Sequence, residues 1–236
     1  MLWVKKSFLL VSIRALLRFE NCDRIVYASQ QRGFISGMND KFFDLKSEKQ
    51  DRMINASLKI FATNGYKHAS TDDIVREAGI SKGLLFHYFI NKMGLYSFLL
   101  DYSVRYMNFE FSRTIGEETD YFGFLEKMET AKLNVLKNYP YMNEFIDNCI
   151  AENRIDLEES GKEAIRTYKD TFAAYRAKVK TPSLKAGVDI EQLENMISYT
   201  IKGITAESVD SPNFKPERLN QKVIEYLQAF KKLAVN

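Results

Sequence analysis

Apolar side chains recur at helical spacing along the chain from residue 47 onward. Ile54, Leu58 and Phe61 stand at i, i+4 and i+7, which places them on one face of a helix. Residues 47–50 read Ser-Glu-Lys-Gln, which predicts a capping box, and Asn64-Gly65 predicts a glycine-terminated end. The pattern therefore predicts a first helix of about 17 residues.

Two short helices with a tight turn between them follow the first helix. Ser70 and Ser81 are predicted N-caps, and Gly79 supplies the residue that can take a positive φ in the turn. The predicted helices span residues 71–78 and 82–88, and Asn91 caps a fourth. This spacing is typical of a helix-turn-helix, predicted here over residues 70–89. From spacing alone, a helical corner without a DNA role is the alternative.

The second half of the chain contains five further helical segments. They are predicted at residues 120–137, 141–153, 157–178, 189–207 and 215–233. The last two carry strong apolar stripes. Such a helix pair, doubled by symmetry, forms a four-helix dimer interface. The alternative is that the stripes close the core of one chain. The predicted interface residues are Ile197, Ile201, Ile204, Tyr226, Leu227 and Phe230.

The composition is that of a globular, mainly helical protein. Hydrophobic residues make up 45% and charged residues 28%, both near the globular average, and only 4 Pro and 11 Gly interrupt 236 residues. A membrane span needs about 20 apolar residues, and the sequence contains no such run. All-α architecture without a transmembrane segment is therefore expected.

The first 37 residues differ in charge from the rest of the chain. They carry a net charge of +4, whereas the remainder carries −1. An apolar run here is cut by Arg14, which argues against a signal peptide. Three interpretations remain: a stretch preceding the true start codon, an interfacial amphipathic helix, or a disordered basic arm. The polar lead-in from Met38 favours the first. The predicted domains are thus an extension (1–46), a DNA-binding domain (47–107) and a helical effector and dimerisation domain (108–236).

Chemistry-bearing residues are sparse. The two cysteines, Cys22 and Cys149, lie far apart and have no partners at metal-ligand spacing. The two histidines, His68 and His87, both lie within residues 47–107, and no phosphate loop or nucleophile elbow is present. We therefore expect a cytoplasmic protein that is not an enzyme and uses neither a metal nor a cofactor.

One stretch of the sequence closely resembles the DNA-binding domain of the TetR/AcrR family of transcriptional regulators. Residues 71–95 read TDDIVREAGISKGLLFHYFINKMGL, and residues 60–66 read IFATNGY. The resemblance covers about residues 47–107, a quarter of the chain. It implies a three-helix DNA-binding domain followed by a helical ligand-binding and dimerisation domain. It also implies a homodimer, an operator in double-stranded DNA and a small-molecule effector.

The resemblance also implies which residues bind DNA. Lys82 is the expected donor to base edges, while Thr71, the aromatic and His positions and Lys92 are expected at phosphates. Leu84, His87 and Tyr88 are expected on the side nearer the duplex. The implied DNA-binding residues are Thr71, Ser81, Lys82, Gly83, Leu84, Phe86, His87, Tyr88 and Lys92. Three positions depart from the family's usual pattern. Phe86 replaces a tyrosine, Leu84 replaces a small or polar residue, and Met93-Gly94 replaces an acidic pair.

The middle helices are rich in aromatic residues and methionine, which can line an effector cavity or form ordinary core. The candidate effector residues are Phe124, Met128, Met142, Phe145, Phe172 and Tyr175. Glu126, Glu129, Glu144 and Asp147 favour a cationic ligand or form a solvated face. Residues 95–107 are the expected lever between the cavity and the DNA-binding domain. The predicted function is a homodimeric repressor released from a palindromic operator by an effector; the alternative is a helical protein-interaction or membrane-surface adaptor.

Overall fold

Nine α-helices form the regular structure of the residues that the computed structural model describes, which are 42–152, 154, 156–209 and 214–236. The N-terminal segment and Cys22 lie outside these residues. The helices are α1 (Ser47–His68), α2 (Thr71–Ala78), α3 (Lys82–Tyr88), α4 (Lys92–Thr114), α5 (Tyr121–Leu136), α6 (Met142–Glu152), α7 (Glu159–Arg176), α8 (Ile190–Val209) and α9 (Pro216–Ala234). The all-α prediction is confirmed.

The start of α1 differs from the predicted capping box. Lys46 is the N-cap residue and its side chain makes no capping hydrogen bond. Gln50 is buried, and its Nε2 atom donates to the carbonyl oxygens of Phe43 at 3.1 Å and Leu45 at 2.7 Å. The glutamine therefore ties the chain before the helix to the core, and the packed part of the domain begins before Ser47.

Glycines with a positive φ stand at both positions where the sequence predicted a helix end, but only Gly79 ends its helix, whereas α1 continues past Gly65 to His68. Gly65 has φ 65° and ψ 169°, which breaks the regular helix within the bounds of α1. Gly79 has φ 63° and ψ 42°, the left-handed conformation of a helix C-cap. Side chains larger than glycine rarely adopt a positive φ, so both turns depend on glycine.

The core formed by helices α1 to α4 contains an aromatic cluster centred on Phe42. Its ring is fully buried and lies 5.6 Å from Tyr88, 5.1 Å from Phe89 and 5.5 Å from Phe98, measured between ring centroids. Ile74 and Leu85 are also fully or almost fully buried, so α2 and α3 pack on the same core. The cluster fixes the angle of α3 against α4.

The C-terminal helices pack around the long helix α4. Helices α5 and α7 lie against α4, α9 lies against α5, and α8 packs chiefly against α9. An isolated antiparallel β-bridge joins Leu184 to Val235 beside the end of α9. Helix α6 packs against α1 and α4 and so belongs to both halves of the molecule.

Candidate nucleic-acid interface and effector cavity

Side-chain caps position the helices of the helix-turn-helix. The Ser70 hydroxyl accepts from the Asp72 N–H at 3.1 Å and starts α2. The Ser81 hydroxyl accepts from the Leu84 N–H at 3.2 Å and starts α3. The predicted caps are confirmed. Each serine hydroxyl already accepts a hydrogen bond from a backbone N–H of its own helix.

One side of α3 is open to solvent. Lys82, Gly83 and His87 are exposed, whereas Leu84 and Phe86 are half-buried. A Cβ atom placed on Gly83 would meet no atom within 4 Å, so this position lets a large partner approach the backbone closely. The exposed side of α3 can therefore enter a DNA groove.

Tyr88 does not face the predicted direction. Only 7% of its surface is exposed, because Phe42 packs edge to face against its ring at an interplanar angle of 73°. The sequence predicted that Tyr88 lies nearer the duplex, and this is wrong for the ring. The packing partner precedes every predicted helix, so helical periodicity could not reveal it.

Lys82 is held by an acidic residue of the preceding helix. Its Nζ atom lies 2.8 Å from Oδ1 of Asp72, and both side chains are at the surface. Thr71, at the start of α2, is half-buried beside this pair. A phosphate or base that binds Lys82 must compete with the Asp72 carboxylate.

Lys92 lies over an aromatic ring at the start of α4. Its Nζ atom is 4.5 Å from the Tyr66 ring centroid and donates to the Lys67 carbonyl oxygen at 3.5 Å. Burial, together with the nearby Arg154 guanidinium, lowers the pKa of Lys92. Arg154 lies 4.1 Å from the same ring centroid, so Tyr66 carries two cations.

A cavity of about 710 Å³ lies among α5, α6, α7, α8 and α9. Three of the six candidate effector residues line it, namely Phe124, Met128 and Phe172. The lining residues that the sequence did not single out include Asn143, Asn148, Arg176, Ser198 and Lys202. These side chains are polar, and helical periodicity is read from apolar positions, so the sequence did not indicate that they line a cavity.

The other three candidate effector residues lie elsewhere. Met142 and Phe145 are buried, and the Phe145 ring lies 6.2 Å from Phe61 of α1 and 5.2 Å from Tyr96 of α4. Tyr175 is half-buried against the core away from the cavity lining, and burial raises its pKa. The prediction that these three residues line the cavity is wrong. Phe145 packs toward α1 and α4 instead, and neither Met142 on α6 nor Tyr175 on α7 reaches the lining.

The apolar stripes of α8 and α9 face their own chain. Ile197, Ile204 and Leu227 are buried within one chain, which contradicts their prediction as dimer contacts. Ile201 lines the cavity, and Phe230 is partly buried on the core. Helix α9 packs on α5, and α8 packs on α9, so the stripes that periodicity detects close the core of one chain.

Other apolar side chains of α8 and α9 remain exposed. Met196 is 56% exposed and Tyr199 is 71% exposed, one turn apart on α8. Tyr226 and Leu233 are exposed on α9 at a spacing of seven residues. Of the six predicted interface residues, Tyr226 is thus the one that belongs to this exposed surface, defined here as Met196, Tyr199, Tyr226 and Leu233.

Charged residues form two ion pairs on the cavity wall. Lys132 lies 2.8 Å from Glu129, and Arg176 lies 3.1 Å from Glu194. Burial alone would lower the pKa of Lys132, but the Glu129 carboxylate outweighs it and raises this pKa. These cations are therefore already matched by anions of the protein.

Helix α6 joins the cavity to the DNA-binding domain. Asn148 lines the cavity, and its Nδ2 atom donates to the Ala62 carbonyl oxygen of α1 at 2.9 Å. Four residues later, the Glu152 carboxylate accepts from the Tyr66 N–H at 3.3 Å and from the Tyr96 hydroxyl at 3.2 Å. A movement of α6 therefore acts directly on α1 and on the start of α4.

The described residues contain neither a metal-binding group nor a membrane-spanning helix. Within ranges 42–152, 154, 156–209 and 214–236, no three His, Cys, Asp or Glu side chains are grouped so as to hold a metal ion. In the same ranges no helix combines the length and the apolar character required to traverse a bilayer.

The DNA-binding part of the chain matches a known family. Residues 53–97 match the family described as "Bacterial regulatory proteins, tetR family". This range covers most of α1, all of α2 and α3 and the beginning of α4, which are the elements that form the helix-turn-helix and its support.

Similar proteins include helix-turn-helix regulators. The chain is 27% identical over 160 residues to the regulator YuxN of Bacillus subtilis, covering 68% of this chain and half of that protein's length. It is 25% identical over 171 residues to the transcriptional regulator SrpR of Pseudomonas putida, covering 70% of this chain and 76% of SrpR.

Solved structures share the fold over most of the chain. The ketosteroid transcriptional regulator KstR2 of Mycobacterium tuberculosis aligns with a TM-score of 0.59 at 16% identity, covering 86% of this chain and 99% of that one. A TetR family regulator from Chloroflexus aurantiacus aligns with a TM-score of 0.54 at 17% identity, covering 84% and 98%. The capped helix-turn-helix and the matching segment identify residues 53–97 as a DNA-binding domain of the TetR family of transcriptional regulators, in a chain that shares the fold of such regulators.

Proposed function

We propose that this protein is a homodimeric repressor that binds a palindromic operator and is released by a small molecule bound in the cavity. The observation that carries the proposal is the connection through α6, because one helix lines the cavity and hydrogen-bonds to the DNA-binding domain. A protein of this kind acts on DNA in the cytoplasm.

The exposed side of α3 supports binding in the major groove. Lys82 and His87 supply polar contacts, Leu84 supplies an apolar one, and Gly83 permits close approach. Thr71 and Lys92, at the starts of α2 and α4, are suited to phosphates on either side of the groove. A homodimer of such domains reads a palindrome when its two α3 helices lie about 34 to 36 Å apart.

The exposed surface of α8 and α9 supports the dimer. Exposed large apolar side chains at helical spacing on two adjacent helices are typical of a surface that another protein covers. Two copies related by a twofold axis bury this surface in a four-helix arrangement. The contacts are then made by Met196, Tyr199, Tyr226 and Leu233.

The test is a titration of the DNA that flanks the protein's own gene. A shift to one discrete complex, lost when the palindrome is scrambled, is the expected result. Equal binding to scrambled DNA, or no binding at low salt, would favour an adaptor without sequence-specific DNA binding.

We expect Asp72→Asn to tighten operator binding about three- to tenfold. The change releases Lys82 from its ion pair and removes a negative charge from the DNA-facing side. Fluorescence anisotropy with labelled operator measures the effect. Glu77→Gln is the matched control, because it removes the same charge from the same helix but breaks a pair with Lys59 instead. Equal gains in both variants would show that net charge alone matters.

We expect Asn148→Ala to weaken the coupling between ligand and operator. The variant keeps the cavity but loses the hydrogen bond to Ala62, so the ratio of operator Kd values with and without ligand falls about threefold or more. The ligand is one selected by thermal stabilisation of the protein. Asn143→Ala is the control, since Asn143 lines the same cavity but donates to Lys132 of α5. An unchanged ratio in Asn148→Ala would reject α6 as the connection.

A further inference from the structure

We propose that the cavity binds an amphipathic organic cation, with its apolar body against the aromatic wall and its charged group beside Asp147. This ligand class specifies the small molecule of the proposed function, and its effect on operator binding rests on that function. Binding itself is measurable without DNA.

The apolar wall is formed by aromatic rings and aliphatic side chains. Phe124 and Phe172 lie 6.2 Å apart between ring centroids with a tilt of 53°, and both line the cavity. Phe172 is 39% exposed although it is large and apolar, because the cavity leaves its ring uncovered. Aromatic faces attract cations and also bury apolar surface, so the wall suits a ligand that has both.

The cavity is elongated along α5. Its lining runs from Tyr121 to Leu136, which corresponds to about 22 Å of helix. The aromatic rings of α5 and α7 lie toward the Tyr121 end, and α6 lines the other part with Glu144 and Asp147. A ligand with an apolar chain and a separate polar end fits this division.

The charges that remain after ion pairing favour a cation. Glu129 pairs with Lys132, and Glu194 pairs with Arg176. The lining also contains Glu144, Asp147 and Lys202, and no salt bridge joins these three to any described residue. The unpaired lining thus has two carboxylates against one ammonium group.

Asp147 is the strongest of these anchors. Its side chain is accessible to solvent because it lines the cavity, yet the surrounding protein removes part of its hydration. This burial raises the pKa of Asp147, although Lys132 and Lys202 draw it downward. The negative charge of Asp147 is therefore only partly stabilised by water and by the protein. An organic cation beside the carboxylate would stabilise that charge electrostatically.

An anionic amphiphile finds a poorer site in the same cavity. Lys132 is committed to Glu129, which is itself buried, so an incoming carboxylate would have to break that pair. It would also approach Asp147 and Glu144. Lys202 alone offers an unpaired positive charge among the described lining residues, and it lies at an exposed position of α8.

Calorimetry with three ligands of equal chain length tests the proposal on the full chain. The probes are decyltrimethylammonium, decanol and decanoate, each below its aggregation concentration. We expect the cation to bind about tenfold more tightly than decanol, and decanoate to bind more weakly than either. Decanoate or decanol binding as tightly as the cation overturns the proposal, as does a cation that does not bind.

Two variants with opposite expected effects locate the site. Asp147→Asn should weaken cation binding about tenfold and leave decanol unchanged, whereas Lys202→Gln should tighten cation binding about threefold. Asp170→Asn, at an exposed position of α7 outside the cavity lining, is the control for net charge and should change nothing. Equal effects of Asp147→Asn and Asp170→Asn would refute the assignment of Asp147.

Measuring operator affinity with each ligand distinguishes a failure of the ligand class from a failure of the proposed switch. If the cation binds in the cavity but leaves operator affinity unchanged, the switch fails while the ligand class stands. If decanoate releases the operator and the cation does not, the ligand class fails while the switch stands.

Discussion

A double variant, Met196→Glu with Tyr199→Glu, should run in light scattering as a monomer near 27.4 kDa and bind the operator about 100-fold or more weakly than the wild type. Both side chains are largely exposed in one chain, so the changes leave the monomer's core intact. In the proposed dimer they bury two carboxylates per chain without partners, which opposes assembly. The monomer then binds one half-site with a single recognition helix, and it lacks the affinity that a dimer gains by binding both half-sites at once.

The matched control adds the same charge elsewhere. Gln221→Glu with Gln228→Glu places two carboxylates on α9 at exposed positions. Gln228 lies two residues, or about 200°, from Tyr226 around the helix, on the opposite side. This variant should remain a dimer near twice 27.4 kDa. A Met196→Glu, Tyr199→Glu protein that stays dimeric and folded would show that the interface lies elsewhere.

Phe42→Ala should lower the free energy of unfolding by about 3 to 5 kcal/mol, a large part of a typical domain's stability. The ring is fully buried and contacts Phe43, Tyr88, Phe89 and Phe98, so its removal leaves a cavity between α3 and α4. Urea unfolding followed by circular dichroism measures the change.

Two further variants are compared with Phe42→Ala in the same unfolding measurement. Phe172→Ala removes the same ring from a position that is already open to the cavity, and should cost less than about 1.5 kcal/mol. A chain shortened to begin at Ser47 should lose at least as much stability as Phe42→Ala, because it lacks the same ring. An unchanged urea midpoint for the shortened chain would contradict the role given to Phe42.

Local signals explain why the helices could be predicted from the sequence. Ser70, Ser81 and Asn91 cap the helices that they were expected to cap, and Gly79 takes its expected left-handed conformation. The C-terminal helices begin and end within about two residues of the predicted bounds. Caps and periodicity depend on residues a few positions apart, which a single sequence displays directly.

The direction in which each apolar side chain faces could not be predicted in the same way. Ile197 and Leu227 belong to strong stripes, but a stripe does not say whether its own chain or a second copy covers it. Phe145 points to α1 and Tyr96, and only the crossing of α6 over α1 decides that. Asp72 pairs with Lys82 across a turn, at a separation that periodicity does not examine.

In the proposed switch, the placement of α8 ties the release of the operator by the ligand to the amount of protein in the cell. The helix lines the cavity with Ile197 and Ile201, and it exposes Met196 and Tyr199 for the proposed dimer. A ligand that displaces α8 alters the dimer dissociation constant, and by reciprocity dimerisation alters ligand affinity by the same factor. The ligand concentration at half-release is then set by mass action as well as by the cavity, so a cell can adjust the threshold of its response by changing how many copies it makes.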